Sequence, residues 1–262
     1  MGPQMASIQP KLPVTMSMTE SFSEPRLFQR VTNAAYHGSV PVAGSILRER
    51  SIVPEMLDHA PPDVARASLR DLERINRYLG GYLVVRQMFS RLVDKQESFS
   101  VLDVGAASGG MGEAIRRRFP RARVTSLDYK ADHLAQAANP KVAANAFGLP
   151  FRPASFDFVF SSLFLHHFTN DQVVGLFTGF RAVARRAVLA IDLDRGPLAY
   201  HFLPSTRWLF GWQDITISDG QISVEAAFKR DELLALAVKA GLGRAEVRVH
   251  RPWSRLSLVA PV

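Results

Sequence analysis

From residue 98 to the C-terminus, short apolar runs alternate with stretches of helical spacing, and this alternation constrains the fold more than any other feature of the chain. It is the pattern of a parallel sheet flanked by helices, because parallel strands are buried on both faces and their crossovers must be long enough to carry a helix. Strands are expected at residues 98–104, 123–127, 141–145, 156–161 and 187–191, with two more at 244–250 and 256–259. Helices should start near Gly110, Ala131 and Asn170, and another bearing Leu233, Leu234, Leu236 and Val238 closes on Gly241. Upstream, Leu69, Leu72, Ile75 and Leu79 recur at helical spacing until Gly80-Gly81, and Tyr82, Val85, Met88, Phe89 and Leu92 suggest a second helix. Residues 21–97 therefore read as an N-terminal helical cap, behind a loose leader at residues 1–20 in which Pro, Ser, Thr and Met show no period. Residues 98–262 form the main domain. It is interrupted at about 195–226 by an aromatic-rich insertion (Tyr200, Phe202, Trp208, Phe210, Trp212) expected to pack over the carboxyl ends of the strands.

The first strand runs directly into a glycine turn, VLDVGAASGGMG, residues 101–112. In an open α/β sheet, ligands bind beyond the carboxyl ends of the strands, near the point where strand order reverses. Gly105, Gly109 and Gly110 let the backbone approach such a ligand closely, and the following helix points its amino end at the same place. Gly105, Ala107 and Gly110 also fall on the dinucleotide pattern G-x-G-x-x-G, which raises a nicotinamide enzyme as one reading. Two features oppose it: Asp103 would repel a pyrophosphate, and the second glycine is alanine. Asp128, at the end of the second strand, suits a ribose diol in either case.

Further motifs follow in order: Asn145-Ala146-Phe147-Gly148-Leu149-Pro150-Phe151, then Phe156-Asp157-Phe158-Val159-Phe160-Ser161, then Leu165-His166-His167-Phe168. With the glycine turn, they make residues 98–193 resemble the class I S-adenosylmethionine-dependent methyltransferases, and more closely the small-molecule branch related to the ubiquinone and menaquinone methyltransferases. The resemblance implies a Rossmann-like, seven-stranded, mostly parallel α/β sheet with an antiparallel final strand, and S-adenosyl-L-methionine as cofactor. It also implies roles: Asp103 and Gly105, with Ala107 beside them, border the methionine part. Asp128 holds the ribose hydroxyls, Asn145 and Ala146 lie beside the adenine, and Ser161 contacts the methionine end. Ala107 replaces the usual second glycine, and Asn145 stands where aspartate is common. An acid before a bare glycine turn suits this cofactor, whose amino-acid end is cationic.

The activated methyl comes from the cofactor, so the protein must align the acceptor, exclude water and, for a hydroxyl, manage a proton. Histidine is the natural group for the last task. His166 follows the fourth strand and His201 lies in the insertion, and both are candidates for catalysis; His167 and Asp194 reach the same rim, and His250 reads as structural. No His and carboxylate cluster at ligand spacing is visible along the chain, so no metal is expected. The aromatics suggest a small, fairly hydrophobic acceptor of phenol, quinol or polyketide type, methylated on oxygen or an activated ring carbon.

Composition bears on the alternatives. A net charge of +8 permits nucleic-acid contact. The Arg116-Arg117-Arg118 run, however, ends a helix where cations complement its dipole, which argues against RNA as the partner. An RNA methyltransferase and a non-catalytic cofactor- or partner-binding protein remain the other readings, ahead of the oxidoreductase. With no cysteine, disulfides and thiolate metal sites are excluded. No apolar run reaches the ~20 residues of a membrane span. A cytoplasmic monomer or homodimer is expected.

Overall fold

The alternating pattern closes into one sheet whose strand order is β3-β2-β1-β4-β5-β7-β6. The computed structural model describes residues 47–59 and 62–262, all within the unit Val42–Val262. The expected leader and residues 21–46 of the expected cap lie outside the described residues. The strands are β1 (Phe99–Val104), β2 (Ala122–Asp128), β3 (Lys141–Ala143), β4 (Phe156–Ser162), β5 (Ala184–Leu193), β6 (Glu246–His250) and β7 (Arg255–Pro261). The pairs among β1 to β5 are parallel, and β7 runs antiparallel to both β5 and β6. Strand order reverses at β1, which pairs with β2 on one side and β4 on the other, so a ligand site is expected at its carboxyl end.

The helices are α1 (Pro62–Tyr78), α2 (Gly81–Phe89), α3 (Gly110–Arg118), α4 (Asn170–Val183), α5 (Pro197–Phe210), α6 (Asp214–Ala226) and α7 (Arg230–Lys239). One sheet face packs Leu102, Val159, Val188 and Leu258 against Val173, Leu176, Phe177 and Phe180 of α4 and Leu233 and Leu236 of α7. The other packs Phe99, Val101, Phe158, Phe160 and Leu189 against Val84, Val85, Met88 and Phe89 of α2 and Met111 and Ile115 of α3. Phe89 sits among Phe99, Phe119, Phe158 and Phe160 at centroid distances of 5.6–6.2 Å. The second helix of the expected cap is thus a layer of the sheet's own core. α1 is held differently: the Asp71 carboxylate accepts the Gln213 N–H at 2.9 Å and the Thr216 hydroxyl at 3.1 Å, which ties it to the start of α6.

Two expectations differ from the structure. The helix expected from Ala131 is a single 3-10 turn, His133–Gln136. Asn139-Pro140 follows too soon for a longer helix, and the Lys141 ammonium binds the Leu134 and Ala135 carbonyls at 2.8 and 3.2 Å. The expected aromatic insertion is built as the helical pair α5 and α6, but its aromatics do not form one continuous wall: Trp212 is buried, whereas Trp208 is 84% exposed.

Candidate active site

At the end of β1 the chain turns over the tip of β2, with the Gly105 and Ala106 N–H groups donating to the Leu127 carbonyl at 2.9 and 3.0 Å. Gly105 has φ +70°, and a β-carbon there would run into the Phe164 ring. At Gly109, φ +79°, a β-carbon would lie 2.9 Å from that of Ala137. Ala107 also sits in the left-handed region, φ +45°, where an L-residue costs about 1 kcal/mol. A glycine would be unstrained at this position. Where α3 begins, α1 and α2 reach in, the Tyr82 hydroxyl donating to Glu73 at 2.5 Å beside Gly110.

Asp128 braces this turn. Its Oδ2 accepts the Ala107 N–H and its Oδ1 the Lys130 N–H, each at 3.0 Å. Asn145 lies just beyond β3, where its Oδ1 accepts the Phe147 N–H at 3.0 Å, and Ala146 is buried beside it. Asp103 is placed deeper than the sequence implied. Its carboxylate lies under the first turn of α3, accepting from the Gly112 N–H and facing Arg116. Burial pushes its pKa up to about 7 against the pull of Arg116. Arg116 is thereby turned inward, and its guanidinium donates to the Val124 carbonyl at 2.8 Å.

Asp103 Oδ2 has no hydrogen-bond partner, and neither do Ser126 Oγ, Ser161 Oγ and Ser162 Oγ. Asp103 is in register with Ser126, and Val104 with Ser161, so these orphaned atoms gather toward the carboxyl ends of β1, β2 and β4. Each unmade bond to a buried polar group costs roughly 1–3 kcal/mol. A polar ligand beside the bare turn would meet several of them, so the residues present fit a cofactor with cationic and hydroxyl groups.

A second cluster forms where β4 and β5 end. After β4 a 3-10 turn, Leu165–His167, buries His166. Its Nδ1 lies 2.6 Å from Oδ1 of Asp192, on β5. The other Asp192 oxygen accepts the Leu165 and His166 N–H groups at 3.0 and 3.3 Å. Nε2 of His166 faces Oε1 of Glu55 at 3.7 Å, and Nδ1 of His167 lies 3.9 Å from the same oxygen. Burial opposes charge on His166, but Asp192 and then Glu55 outweigh it and hold the pKa up at about 9. Glu55 is pinned from outside the sheet: Ser223 Oγ donates to it at 2.5 Å, and Asp219 accepts the N–H groups of Met56 and Leu57 at 2.8 and 2.9 Å. Arg50 donates to the Phe168 and Ala226 carbonyls at 2.9 and 2.7 Å.

The fold joins His166 with Asp192, Glu55 and His167, a grouping not visible along the chain. His201 stands apart: it is exposed on α5, its ring 5.1 Å from that of Tyr200. Arg195 is fully buried and grips Glu232 at 2.6 and 2.8 Å rather than pairing with Asp194. His250 bonds Ser257 at 2.7 Å and is structural. Sequence reasoning missed Asp192 and Glu55. Asp192 carried the same signal as Asp103, a lone acid ending an apolar strand; Glu55 carried none.

A glycine turn at the strand-reversal point, an acid ending β2 and the order β3-β2-β1-β4-β5-β7-β6 form the architecture that the resemblance to class I S-adenosylmethionine-dependent methyltransferases implied, and the comparisons support that class. Residues 101–187 match the methyltransferase domain family, and S-adenosylmethionine is the cofactor of the class. The chain is 34% identical over 105 residues to the malonyl-[acyl-carrier protein] O-methyltransferase of Xylella fastidiosa (strain M23), a match covering 37% of this chain. It spans only 35% of that relative's length. Among solved structures, the plantazolicin methyltransferase BamL, in complex with a triazolic desmethylPZN analog and SAH, aligns with a TM-score of 0.60 at 13% identity, covering 78% of this chain and 92% of that one. The plantazolicin methyltransferase BpumL, in complex with SAH, gives 0.59 at 15% identity over 78% and 91%. At these identities the two structures speak for the fold. Among the described residues, no helix is long and apolar enough to cross a membrane.

Proposed function

We propose that this protein transfers a methyl group from S-adenosylmethionine to a small, fairly hydrophobic acceptor, a phenol, quinol or polyketide product of secondary metabolism, on oxygen or an activated ring carbon. The observation that carries the reading is the set of orphaned buried polar atoms beside the bare glycine turn. Asp103, Gly105, Ala107 and Ser161 border the methionine part, Asp128 takes the ribose hydroxyls, and Asn145 and Ala146 flank the adenine. When bound, the cofactor supplies the activated methyl. Phe164 and Phe168, whose rings meet at 4.8 Å, limit water at the acceptor side. His166 is the catalytic residue of this reading. Asp192 fixes its ring so that Nε2 faces Glu55, where an acceptor oxygen would bind. His201 takes part only if the acceptor extends along α5. The reading includes a cytoplasmic location, on the sequence grounds given above.

The name of the Xylella relative supports a second reading, in which the acceptor is the carboxylate of an acyl thioester. Methyl-labelled S-adenosylmethionine, incubated with phenols, quinols, a malonyl thioester and total RNA, tests both. Label in a phenol or quinol is expected. Label only in the thioester selects the second reading, and label only in RNA overturns the small-molecule acceptor. Cofactor binding with no transfer at all would make the protein a binder.

A further inference from the structure

We propose that Glu55, His166 and His167 form a binding site for a divalent transition-metal ion, Zn²⁺ by preference. The proposal rests on the reading above only in taking this cluster as the acceptor end of the site. One carboxylate oxygen and two imidazole nitrogens lie within 4.8 Å of one another. The Glu55 oxygen is 3.7 and 3.9 Å from the two nitrogens. Ligands of a tetrahedral zinc ion with bonds of 2.0–2.1 Å are about 3.4 Å apart, so the Glu55 oxygen must close by a few tenths of an ångström on each nitrogen, and the two nitrogens, within 4.8 Å of each other, must draw together to the same separation. Two histidines and one glutamate are also the donor set of open catalytic zinc sites, in which the fourth position is left to water or substrate.

The support behind the ligands points the same way. Both oxygens of Asp192 are engaged, Oδ1 by His166 Nδ1 and the Leu193 N–H, Oδ2 by two further backbone N–H groups. The ring is therefore held with its Nδ1–H on a buried carboxylate and its Nε2 toward Glu55, where a metal ion would take the place of the Nε2 proton. A carboxylate behind a histidine is the usual outer partner of a metal ligand, setting its tautomer and raising its basicity. Ser223 Oγ donates to Oε1 of Glu55, the same oxygen that faces the two imidazoles, and fixes its position. The His166 side of the cluster is sealed, while the His167 side chain is 37% exposed, so the fourth position opens toward solvent. An acceptor hydroxyl entering there would lose its proton to water as its oxygen joined the metal, leaving an oxygen anion to be methylated.

The test uses untagged, chelator-treated full-length protein titrated with Co²⁺ and Zn²⁺. Visible absorption reports Co²⁺ coordination, calorimetry reports Zn²⁺, and S-adenosylhomocysteine binding is measured on the same samples. One equivalent of metal should bind, and His167→Ala and Glu55→Gln should each weaken it at least about tenfold; Asp192→Asn, behind the ligand, should weaken it about tenfold or more. No stoichiometric binding, or binding that neither ligand variant changes, overturns the metal site. S-adenosylhomocysteine binding in that case leaves the methyltransferase reading standing, whereas loss of both would overturn the two together.

Discussion

Asp192 and His166 meet at 2.6 Å with both groups buried. Removing one member of a buried charged pair strands the other, at a cost of about 3 kcal/mol or more. Asp192→Ala should accordingly lower the unfolding free energy by about that amount in urea titrations, and Asp192→Asn by less, since the amide oxygen still accepts a bond. A loss under about 1 kcal/mol in the alanine variant would show that water reaches His166.

The buried Asp103 makes stability depend on pH. Its folded pKa, about 7, lies above the ordinary 3.8, so the folded state holds the proton more tightly than the unfolded one. Its contribution is thus present at low pH and lost as pH rises from about 4 through about 7. Relative to Asp103→Asn, the wild-type protein should lose about 2–3 kcal/mol between pH 5 and pH 8 in the absence of cofactor. Equal pH profiles in the two proteins would contradict this.

Ala107 stores strain at φ +45°. Ala107→Gly should raise the melting temperature by about 2–4 °C, the shift expected from about 1 kcal/mol in a chain of this size. Cofactor affinity should be retained. A fall in melting temperature would mean that the methyl group packs usefully against the turn.

His166 and His201 can be separated by turnover. His166→Ala should reduce methyl transfer by about 100-fold or more with cofactor affinity nearly unchanged, while the exposed His201 should tolerate alanine within about twofold. The opposite ranking would move the acceptor to α5.

The sheet was legible because its signal is local: buried parallel strands such as Phe99–Val104 and Ala184–Leu193 carry apolar runs over most of their length, and the turn after β1 is glycine-rich. The Asp128 position was legible for the same reason, an acid ending an apolar strand. The two misread stretches fail where local pattern and tertiary context part. Residues 131–140 have helical composition but too little chain before Pro140, and the aromatics of α5 mimic a buried wall although Trp208 faces out. The Glu55–His166–Asp192 grouping joins residues up to 137 positions apart in the chain, which no spacing rule can register. Glu55 reaches it through tertiary bonds alone, Arg50 to the Phe168 carbonyl and Asp219 and Ser223 to the segment around Glu55, at the carboxyl ends of β4 and β5.

The central claim is that the turn from Gly105 to Gly110 and the acid at Asp128 hold S-adenosylmethionine. Calorimetric titration with S-adenosylmethionine, S-adenosylhomocysteine and NADH, on the wild-type protein and on Asp128→Ala, tests it most directly. Micromolar binding of the two adenosyl ligands, weakened about 10- to 100-fold in the variant, is the predicted result. Binding of NADH alone, or adenosyl binding untouched by the loss of Asp128 in a folded variant, would contradict it.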